Sequence, residues 1–258
     1  MTEPQPNRAF AWTQAPWGAA LVCLPLQNVA PHLFTIGNLQ LRDDRSEWAS
    51  VAEVLDVVPD RLLLIRQVHG ASIAVRRVSA NGHWPLPEAD VIVSNDPTAA
   101  IGVRVADCVP ILIADTTTGV VGAVHAGWRG TVQSAAAAGV RALTREFGCR
   151  PENLIAAIGP SLGECCGEVG EEVVDAFRRA GYTEAAISRW FAPGSRGRSH
   201  LNLWRANVDQ LTAAGVPSAQ VHVAGLCTKT HAPLMHSYRA AGIAAGRMLG
   251  AIRPRTNG

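Results

Sequence analysis

The chain has 258 residues, of which 48% are hydrophobic and 17% are charged, and its formal net charge is +2. This composition excludes a disordered protein, because it supports a sizeable buried core, and the small net charge argues against a protein that binds the phosphate backbone of nucleic acid. The six cysteines are spread along the chain, which is not the pattern of a disulfide-stabilised secreted domain. We therefore expect a globular protein of the reducing cytoplasm.

The N-terminal part of the chain predicts neither an export signal nor a membrane span. It begins MTEPQPNRAF and lacks the apolar core of a secretory signal. The later stretch APWGAALVCLPL is too short and too interrupted by proline to cross a bilayer. Turn residues are evenly spread and no linker divides the chain. We expect a monomer with no membrane partner, built as a single domain over 1–258 with loose termini at 1–20 and 253–258.

Alternating or continuously apolar segments predict strands along most of the chain. The two most apolar runs, VPILIAD at 109–115 and VVGAVHA at 120–126, flank the turn sequence TTTG. That arrangement predicts a hairpin of two buried strands. Further strands are predicted over 61–70, 72–78, 88–96, 101–108, 153–159, 220–226 and 246–253.

Three segments have the three-to-four-residue period of an amphipathic helix, and each ends on glycine. They are TVQSAAAAGVRALTREFG at 131–148, EEVVDAFRRAG at 171–181 and LWRANVDQLTAAG at 203–215. Strands that come in clusters with helices between them favour a mixed α/β (α+β) fold over a regular parallel array. We expect a single compact domain with a β-sandwich-like mixed sheet core flanked by helices.

Three residues with metal-binding side chains stand at or beside the ends of predicted strands. His69 precedes Gly70, Cys108 separates two strands, and His125 comes just before the glycine of HAGWRG. Two imidazoles and one thiolate suit a zinc ion, and three protein ligands leave a fourth position open, as in catalytic zinc sites. The same residues would also suit a cysteine nucleophile with a histidine base, or plain core positions. Asp107 is a candidate ligand-supporting residue or proton carrier, or a strand-end hydrogen-bond partner.

The segment GWRG places Arg129 just before a predicted helix. A guanidinium and the free N–H groups at a helix start both attract anions, so a phosphate or carboxylate is expected beside His125. The alternative is a solvated surface arginine with Trp128 packed beneath it.

The loop IGPSLGECCGEVG, at 158–170, carries the adjacent cysteines Cys165 and Cys166. These thiols could take part in metal or redox chemistry, or could be partly buried residues of an ordinary loop. If the protein were a non-catalytic metal-binding protein, Cys165 or Cys166 would close the predicted metal site as a fourth ligand.

Six segments, in order and together, make the chain similar to the YfiH-like family, also called the laccase-domain or polyphenol oxidase family. The resemblance covers roughly residues 60–250 and implies a compact α/β fold with a β-sandwich core. The segments are QVHG (67–70), ADCVPILIAD (106–115), VGAVHAGWRG (121–130), IGPSLGECCGEVGEEV (158–173), LNLWRANVDQL (201–211) and CT…SYR…GR (227–247).

The resemblance also implies a zinc site formed by His69, Cys108 and His125. Members of the family are described as purine nucleoside phosphorylases, which convert adenosine, inosine and 5′-methylthioadenosine with phosphate into a base and a (methylthio)ribose 1-phosphate. They are also described as adenosine deaminases that form inosine. We therefore expect Zn²⁺ as cofactor, purine nucleosides and phosphate as small-molecule partners, and Arg129 and Asp107 as catalytic residues.

Other functions stay open for the same residues. Older descriptions of the family give copper-dependent oxidation of phenols, although a multicopper centre needs many histidines and the chain has eight. A peptidoglycan-editing hydrolase has been proposed for some members, and a thiol hydrolase would use Cys108 as its nucleophile. The chain departs from the family pattern at Gly37, Gly167 and His236, which predicts an altered substrate rim.

Overall fold

A computed structural model describes residues 3–78 and 84–255. The strands are β1 (Phe10–Ala15), β2 (Gly18–Cys23), β3 (His32–Thr35), β4 (Leu62–Leu63), β5 (Ile73–Arg76), β6 (Val91–Ser94), β7 (Ala100–Val105), β8 (Val109–Asp115), β9 (Val121–Ala126), β10 (Leu154–Ile158), β11 (Glu168–Val169), β12 (Phe191–Pro193), β13 (Ser199–Leu201), β14 (Val221–Val223) and β15 (Met248–Ile252). The helices are α1 (Leu24–Gln27), α2 (Arg45–Val54), α3 (Trp128–Val132), α4 (Ala135–Phe147), α5 (Glu171–Arg179), α6 (Glu184–Trp190), α7 (Leu203–Ala213) and α8 (Tyr238–Ala241). Across the described ranges, every helix is too short or too polar to cross a bilayer.

Two six-stranded mixed sheets form the centre of the described structure. The first has the order β1-β2-β3-β15-β7-β4 and the second has the order β14-β10-β8-β9-β6-β5. Most neighbouring strands are antiparallel, while β4 with β7, β5 with β6 and β10 with β14 are parallel. A small third sheet has the order β11-β13-β12. Mixed pairing of this kind is what the irregular spacing of strands and helices predicts.

The two large sheets pack face to face, and helices cover the outer face of the second sheet. In β8, Leu112 and Ala114 belong to the apolar cluster between the sheets. Ile111 and Ile113, which point the other way, join the cluster formed with α4 and α7. Both faces of β8 are therefore buried, which explains its unbroken apolar sequence. The predicted sandwich-like core flanked by helices is confirmed.

Helix α4 approaches the second sheet closely because it carries glycine at the contact. A Cβ on Gly139 would lie 2.7 Å from the Val124 side chain in β9. The helix ends at Gly148, which has the left-handed φ of 69° that glycine adopts without strain. This end was predicted, but the start was not. Ser134, with a φ of 59°, breaks the helix predicted over 131–148 into α3 and α4.

Strands β8 and β9 form the predicted hairpin. They pair antiparallel from Val109 opposite Ala126 to Ala114 opposite Val121. The carboxylate of Asp115 accepts the backbone N–H groups of the connecting turn and stabilises its far end. The opposite end of the hairpin therefore holds the start of β8 and the end of β9 side by side.

Two other predictions are wrong in part. The strand predicted over 61–70 contains only the two residues of β4, because the backbone beyond it bonds to side chains and loops instead of to a neighbouring strand. The terminus predicted to be loose over 1–20 contains β1, which pairs with β2 from Phe10 to Ala15. At the other end, the N–H groups of Arg253 and Arg255 donate to backbone carbonyls, and residues 256–258 lie outside the described part.

Candidate metal centre

The structure brings together the three side chains that were singled out as metal ligands. The ligand atoms of His69, Cys108 and His125 all lie within 4.8 Å of one another, and the two imidazole rings have centroids 4.9 Å apart. Cys108 immediately precedes β8 and His125 is the second-to-last residue of β9, so the hairpin register sets these two next to each other. His69 reaches the same point from the loop after β4. Because His125 is buried and His69 is exposed, the group opens to solvent on one side.

A buried carboxylate that the sequence did not reveal holds two of these ligands. Asp90 is fully buried, and its Oδ1 accepts Nδ1–H of His125 at 2.7 Å. The same carboxylate accepts the backbone N–H groups of Val68, His69 and Gly70. His69 has the left-handed φ of 61°, which these hydrogen bonds stabilise. Since Asp90 occupies Nδ1 of His125, the other ring nitrogen remains for a metal, an arrangement common around ligating histidines.

The charges of the group favour a metal cation. Burial raises the pKa of the Cys108 thiol, but hydrogen bonds from His125 and His69 outweigh burial and lower it to about 6. Burial lowers the pKa of His125, whereas hydrogen bonds to Asp90 and Cys108 raise it to about 9. The carboxyl of Asp90 keeps a pKa below its usual value, since the bonds from His125 and Gly70 outweigh its burial. These pKa values describe a Cys108 thiolate paired with a His125 imidazolium, so a metal ion bound here would take the place of a ring proton.

The glycines of HAGWRG make room for this group. A Cβ on Gly127 would lie 2.8 Å from Sγ of Cys108 and 3.5 Å from Cδ2 of His69. A Cβ on Gly130 would lie 2.9 Å from the carbonyl oxygen of Gly70, in the loop that carries His69. Any side chain at these two positions would therefore push on a ligand or on its loop.

The three ligands lie in the wall of a cavity of about 810 Å³, a volume typical of small-molecule sites. Five arginines and two aspartates give this cavity a surplus of positive charge. Apolar contact is offered by Trp128, Leu162, Leu203 and Tyr238, of which Tyr238 is 58% exposed. The charged lining residues are Arg42, Asp43, Arg66, Arg104, Asp107, Arg239 and Arg247.

Arg104 differs from the other arginines of the cavity. Arg66 pairs with Glu88, while Arg42, Arg239 and Arg247 donate to backbone carbonyls. Within residues 3–78 and 84–255, the guanidinium of Arg104 makes no hydrogen bond and no ion pair. Its burial and the neighbouring charge of Arg247 lower its pKa, and the charge of Asp43 opposes this only in part. A partly buried guanidinium with unused donors, beside a second cation, is the condition that an anionic ligand relieves.

Asp107 and Arg129 are placed differently from one another. Asp107 lines the cavity with a φ of 89°, and its carboxylate accepts Oγ1–H of Thr228 at 2.6 Å and the backbone N–H of Arg239 at 2.5 Å. These contacts match one of the roles predicted for Asp107, that of a hydrogen-bond partner at a strand end. Arg129 is exposed, stacks over the ring of Trp128 at 4.2 Å and does not line the cavity. Helix α3 begins at Trp128, three residues earlier than predicted.

The remaining candidates lie outside this centre. Cys165 and Cys166 form a separate group with Cys227, so they do not supply a fourth ligand to the first group. Gly167 and His236, where the chain departs from the family pattern, do not line the cavity. A Cβ on Gly167 would lie 2.5 Å from the carbonyl oxygen of Leu201, so no larger residue fits there without movement. Gly37 donates its backbone N–H to Leu234 and also lies outside the cavity.

Known proteins of one family match most of this chain. Residues 40–255 match the family model described as multi-copper polyphenol oxidoreductase laccase. A purine nucleoside phosphorylase of Bacteroides thetaiotaomicron is 36% identical over 214 residues, which cover 81% of this chain and 78% of that protein. Adenosine deaminase RL5, from an unknown prokaryotic organism, is 37% identical over 204 residues, 77% of each chain.

Two crystal structures share the fold. YlmD from Geobacillus stearothermophilus superimposes with a TM-score of 0.80 at 31% identity, covering 92% of this chain and 96% of that one. The hypothetical protein YfiH of Bacillus licheniformis superimposes with a TM-score of 0.81 at 25% identity, covering 94% and 97% of the two chains. The expected YfiH-like fold is confirmed.

Proposed function

We propose that this chain, which belongs to the multi-copper polyphenol oxidoreductase laccase family, is a zinc-dependent purine nucleoside enzyme. Its reactions are the phosphorolysis of adenosine, inosine and 5′-methylthioadenosine and the deamination of adenosine. The names of its relatives, purine nucleoside phosphorylase and adenosine deaminase, support this substrate class. The observation that carries the proposal is that a metal-ligand group and Arg104, whose guanidinium makes no hydrogen bond to the described residues, open into one cavity.

The donor set fits Zn²⁺. Two imidazoles and one thiolate are common zinc ligands, and His69, Cys108 and His125 leave one coordination position for a small molecule. When bound, the metal would supply a Lewis acid and would lower the pKa of a water molecule. Asp90 fixes the tautomer and the orientation of His125 and holds the backbone of the loop around His69.

The donor set does not favour a multicopper centre. Such a centre needs several imidazoles, and in the described ranges His69 and His125 are the only histidines that belong to a metal-ligand group. We therefore assign one metal ion to this group.

The anion site is assigned to Arg104 and Arg247 rather than to Arg129, which stacks on Trp128 and does not line the cavity. In phosphorolysis, a phosphate oxygen forms a bond to ribose C1′ while the bond from C1′ to the purine nitrogen breaks, and the base leaves with a proton. The two guanidinium groups would bind the phosphate and offset its charge. In deamination, water adds at purine C6 and ammonia leaves, so this reaction needs no phosphate.

Other lining residues would position the nucleoside. Tyr238 offers an exposed ring on which a purine could stack, at the start of α8. Asp107 would hold that segment in place, because it accepts the backbone N–H of Arg239 next to Tyr238. Asp107 is thus a positioning residue in this proposal.

The test is chromatography of products from adenosine, with and without phosphate, using protein of measured metal content. The wild type is expected to form adenine only with phosphate, and inosine without it. Arg104→Ala is expected to raise the KM for phosphate about tenfold to a hundredfold, the effect of losing charge-assisted hydrogen bonds, and to leave deamination intact. Arg66→Ala, a rim arginine already paired with Glu88, is the matched control. His125→Ala is expected to lose the metal and both reactions.

Each failure has a distinct meaning. A metal-loaded wild type that yields no product would refute the proposed function. An unchanged KM for phosphate in Arg104→Ala would refute the anion site alone. Alkylation of Cys108 that abolishes activity while the metal stays bound would instead support a thiol nucleophile.

A further inference from the structure

A second group of sulfur atoms lies outside the metal centre described above. The sulfur atoms of Cys165, Cys166 and Cys227 all lie within 4.8 Å of one another, and those of Cys165 and Cys166 are 3.8 Å apart. The hydroxyl oxygen of Thr230 lies 3.5 Å and 3.7 Å from the sulfur atoms of Cys165 and Cys166. Three thiols converge here from two separate loops, although none of them takes part in the proposed reaction.

The fold brings these loops together closely. Cys165 and Cys166 lie in a short 3₁₀ helix, Glu164–Cys166, and Cys227 pairs with Ser161 in an isolated bridge after β14. A Cβ on Gly163 would lie 3.1 Å from Cβ of Cys227 and 2.9 Å from the ring of Trp204. Glycine at this position therefore lets the turn approach Cys227.

The sulfur atom of Cys227 lies among hydrogen-bond donors. It accepts from the side chain and the backbone N–H of Thr230 and from the backbone N–H of Gly163. Donors of this kind stabilise a thiolate, which is the form of cysteine that binds a metal cation.

We propose that Cys165, Cys166 and Cys227 form a second metal site, specific for a soft thiophilic cation of the Cu(I) type. Thiolates select such cations. With metal–sulfur bonds of about 2.3 Å, a three-coordinate site needs sulfur atoms about 4 Å apart, close to the spacing of Cys165 and Cys166. The exposed side of Cys165 gives the ion a route in. Binding forms three metal–sulfur bonds and releases to solvent the thiol protons that remain.

A cation at this site would join two loops that border the large cavity. Thr228, next to Cys227, donates to the carboxylate of Asp107, and Arg239 donates to the backbone carbonyls of Cys166 and Glu168. The second site therefore lies behind one wall of the first cavity and would stiffen that wall.

The test is anaerobic titration with Cu(I) against a competing chelator, in a Cys108→Ala background that disables the first centre. We expect one equivalent of tightly bound Cu(I). Adding Cys227→Ser is expected to weaken it at least a hundredfold, whereas adding Cys149→Ala, a buried thiol outside both groups, is expected to change nothing. X-ray absorption should show three sulfur ligands and no nitrogen.

The proposal does not depend on the folding of one variant. If Cys227→Ser fails to fold, Cys165→Ser removes an exposed thiol and should weaken Cu(I) binding in the same way. Unchanged affinity in Cys165→Ser, or nitrogen ligands in the absorption spectrum, would overturn the proposal. Neither result would bear on nucleoside turnover, so the two proposals fail independently.

Discussion

Replacing Asp90 with asparagine tests how the metal centre is supported. The carboxylate accepts four donors on two oxygens: Nδ1–H of His125 and N–H of His69 on Oδ1, and the N–H groups of Val68 and Gly70 on Oδ2. Asparagine has nearly the same shape but only one acceptor oxygen. Whichever way its amide turns, two of the four donors then face an NH₂ group.

Two separate losses are expected from Asp90→Asn. Two donors left without an acceptor reduce the free energy of unfolding by about 1–3 kcal/mol, because water can reach the exposed Val68 and His69 and replaces only part of the lost bonding. The imidazole of His125 and the loop of His69 lose their fixed orientation, which lowers the affinity for zinc about tenfold to a hundredfold. Urea unfolding measures the first loss, and competition with a chromogenic zinc chelator measures the second.

Asp115→Asn is the matched control. Asp115 is also fully buried and accepts backbone N–H groups, but it lies in the turn at the far end of the β8–β9 hairpin. Both backbone N–H groups donate to Oδ1 of Asp115, so the single oxygen of asparagine can accept both. This variant should therefore keep its stability and its zinc affinity. If Asp90→Asn also kept its zinc affinity, Asp90 would be a folding residue and the support assigned to it would be wrong.

Two further predictions concern the space around the centre and the acid stability of the fold. Gly127→Ala should fold normally, because the φ of −71° at this position suits alanine. The new Cβ should displace Sγ of Cys108 and weaken zinc binding by about tenfold. Wild-type zinc affinity in this variant would contradict the close approach of Gly127 to Cys108. Burial raises the pKa of Asp96, but hydrogen bonds from Thr98 and Arg76 outweigh burial and bring the pKa below its usual value. The ionised carboxylate therefore stabilises the folded state above the pKa that Asp96 has in the unfolded chain, and this stabilisation is lost as the pH falls. The free energy of unfolding should therefore decrease from about pH 5 to about pH 3, and less steeply in Asp96→Asn, as urea titrations at each pH would show; equal slopes would contradict this assignment.

The hairpin could be predicted because the residues that determine it are neighbours in the sequence. Two apolar runs flank a short polar turn, and β8 and β9 follow those runs almost residue for residue. The hairpin in turn fixed the positions of Cys108 and His125. His69 was also singled out, although the strand expected to carry it did not form. The loop of His69 is held by the side chain of Asp90, about twenty residues later in the chain, and the periodicity of apolar residues does not reveal such a contact.

Asp90 and Arg104 were missed for the same physical reason. Asp90 stands directly before the apolar β6, where an acid normally marks the solvated end of a strand, and its partners are backbone N–H groups with no residue identity to detect. Arg104 lies in an alternating strand, and alternation suggests a solvent-facing arginine. Only the packing of the two sheets shows that its side chain faces a cavity.

The arginines around the cavity attract anionic ligands while these are still in solution. Five of them share the lining with only two aspartates. In a concave site bounded by low-dielectric protein, their fields reinforce one another and extend into the solvent at the mouth. Anions diffusing past are drawn inward, which raises the rate of productive encounter without changing the chemistry inside. Because dissolved ions shorten the reach of this field to about 8 Å at physiological ionic strength, the capture of anions is fastest in dilute salt.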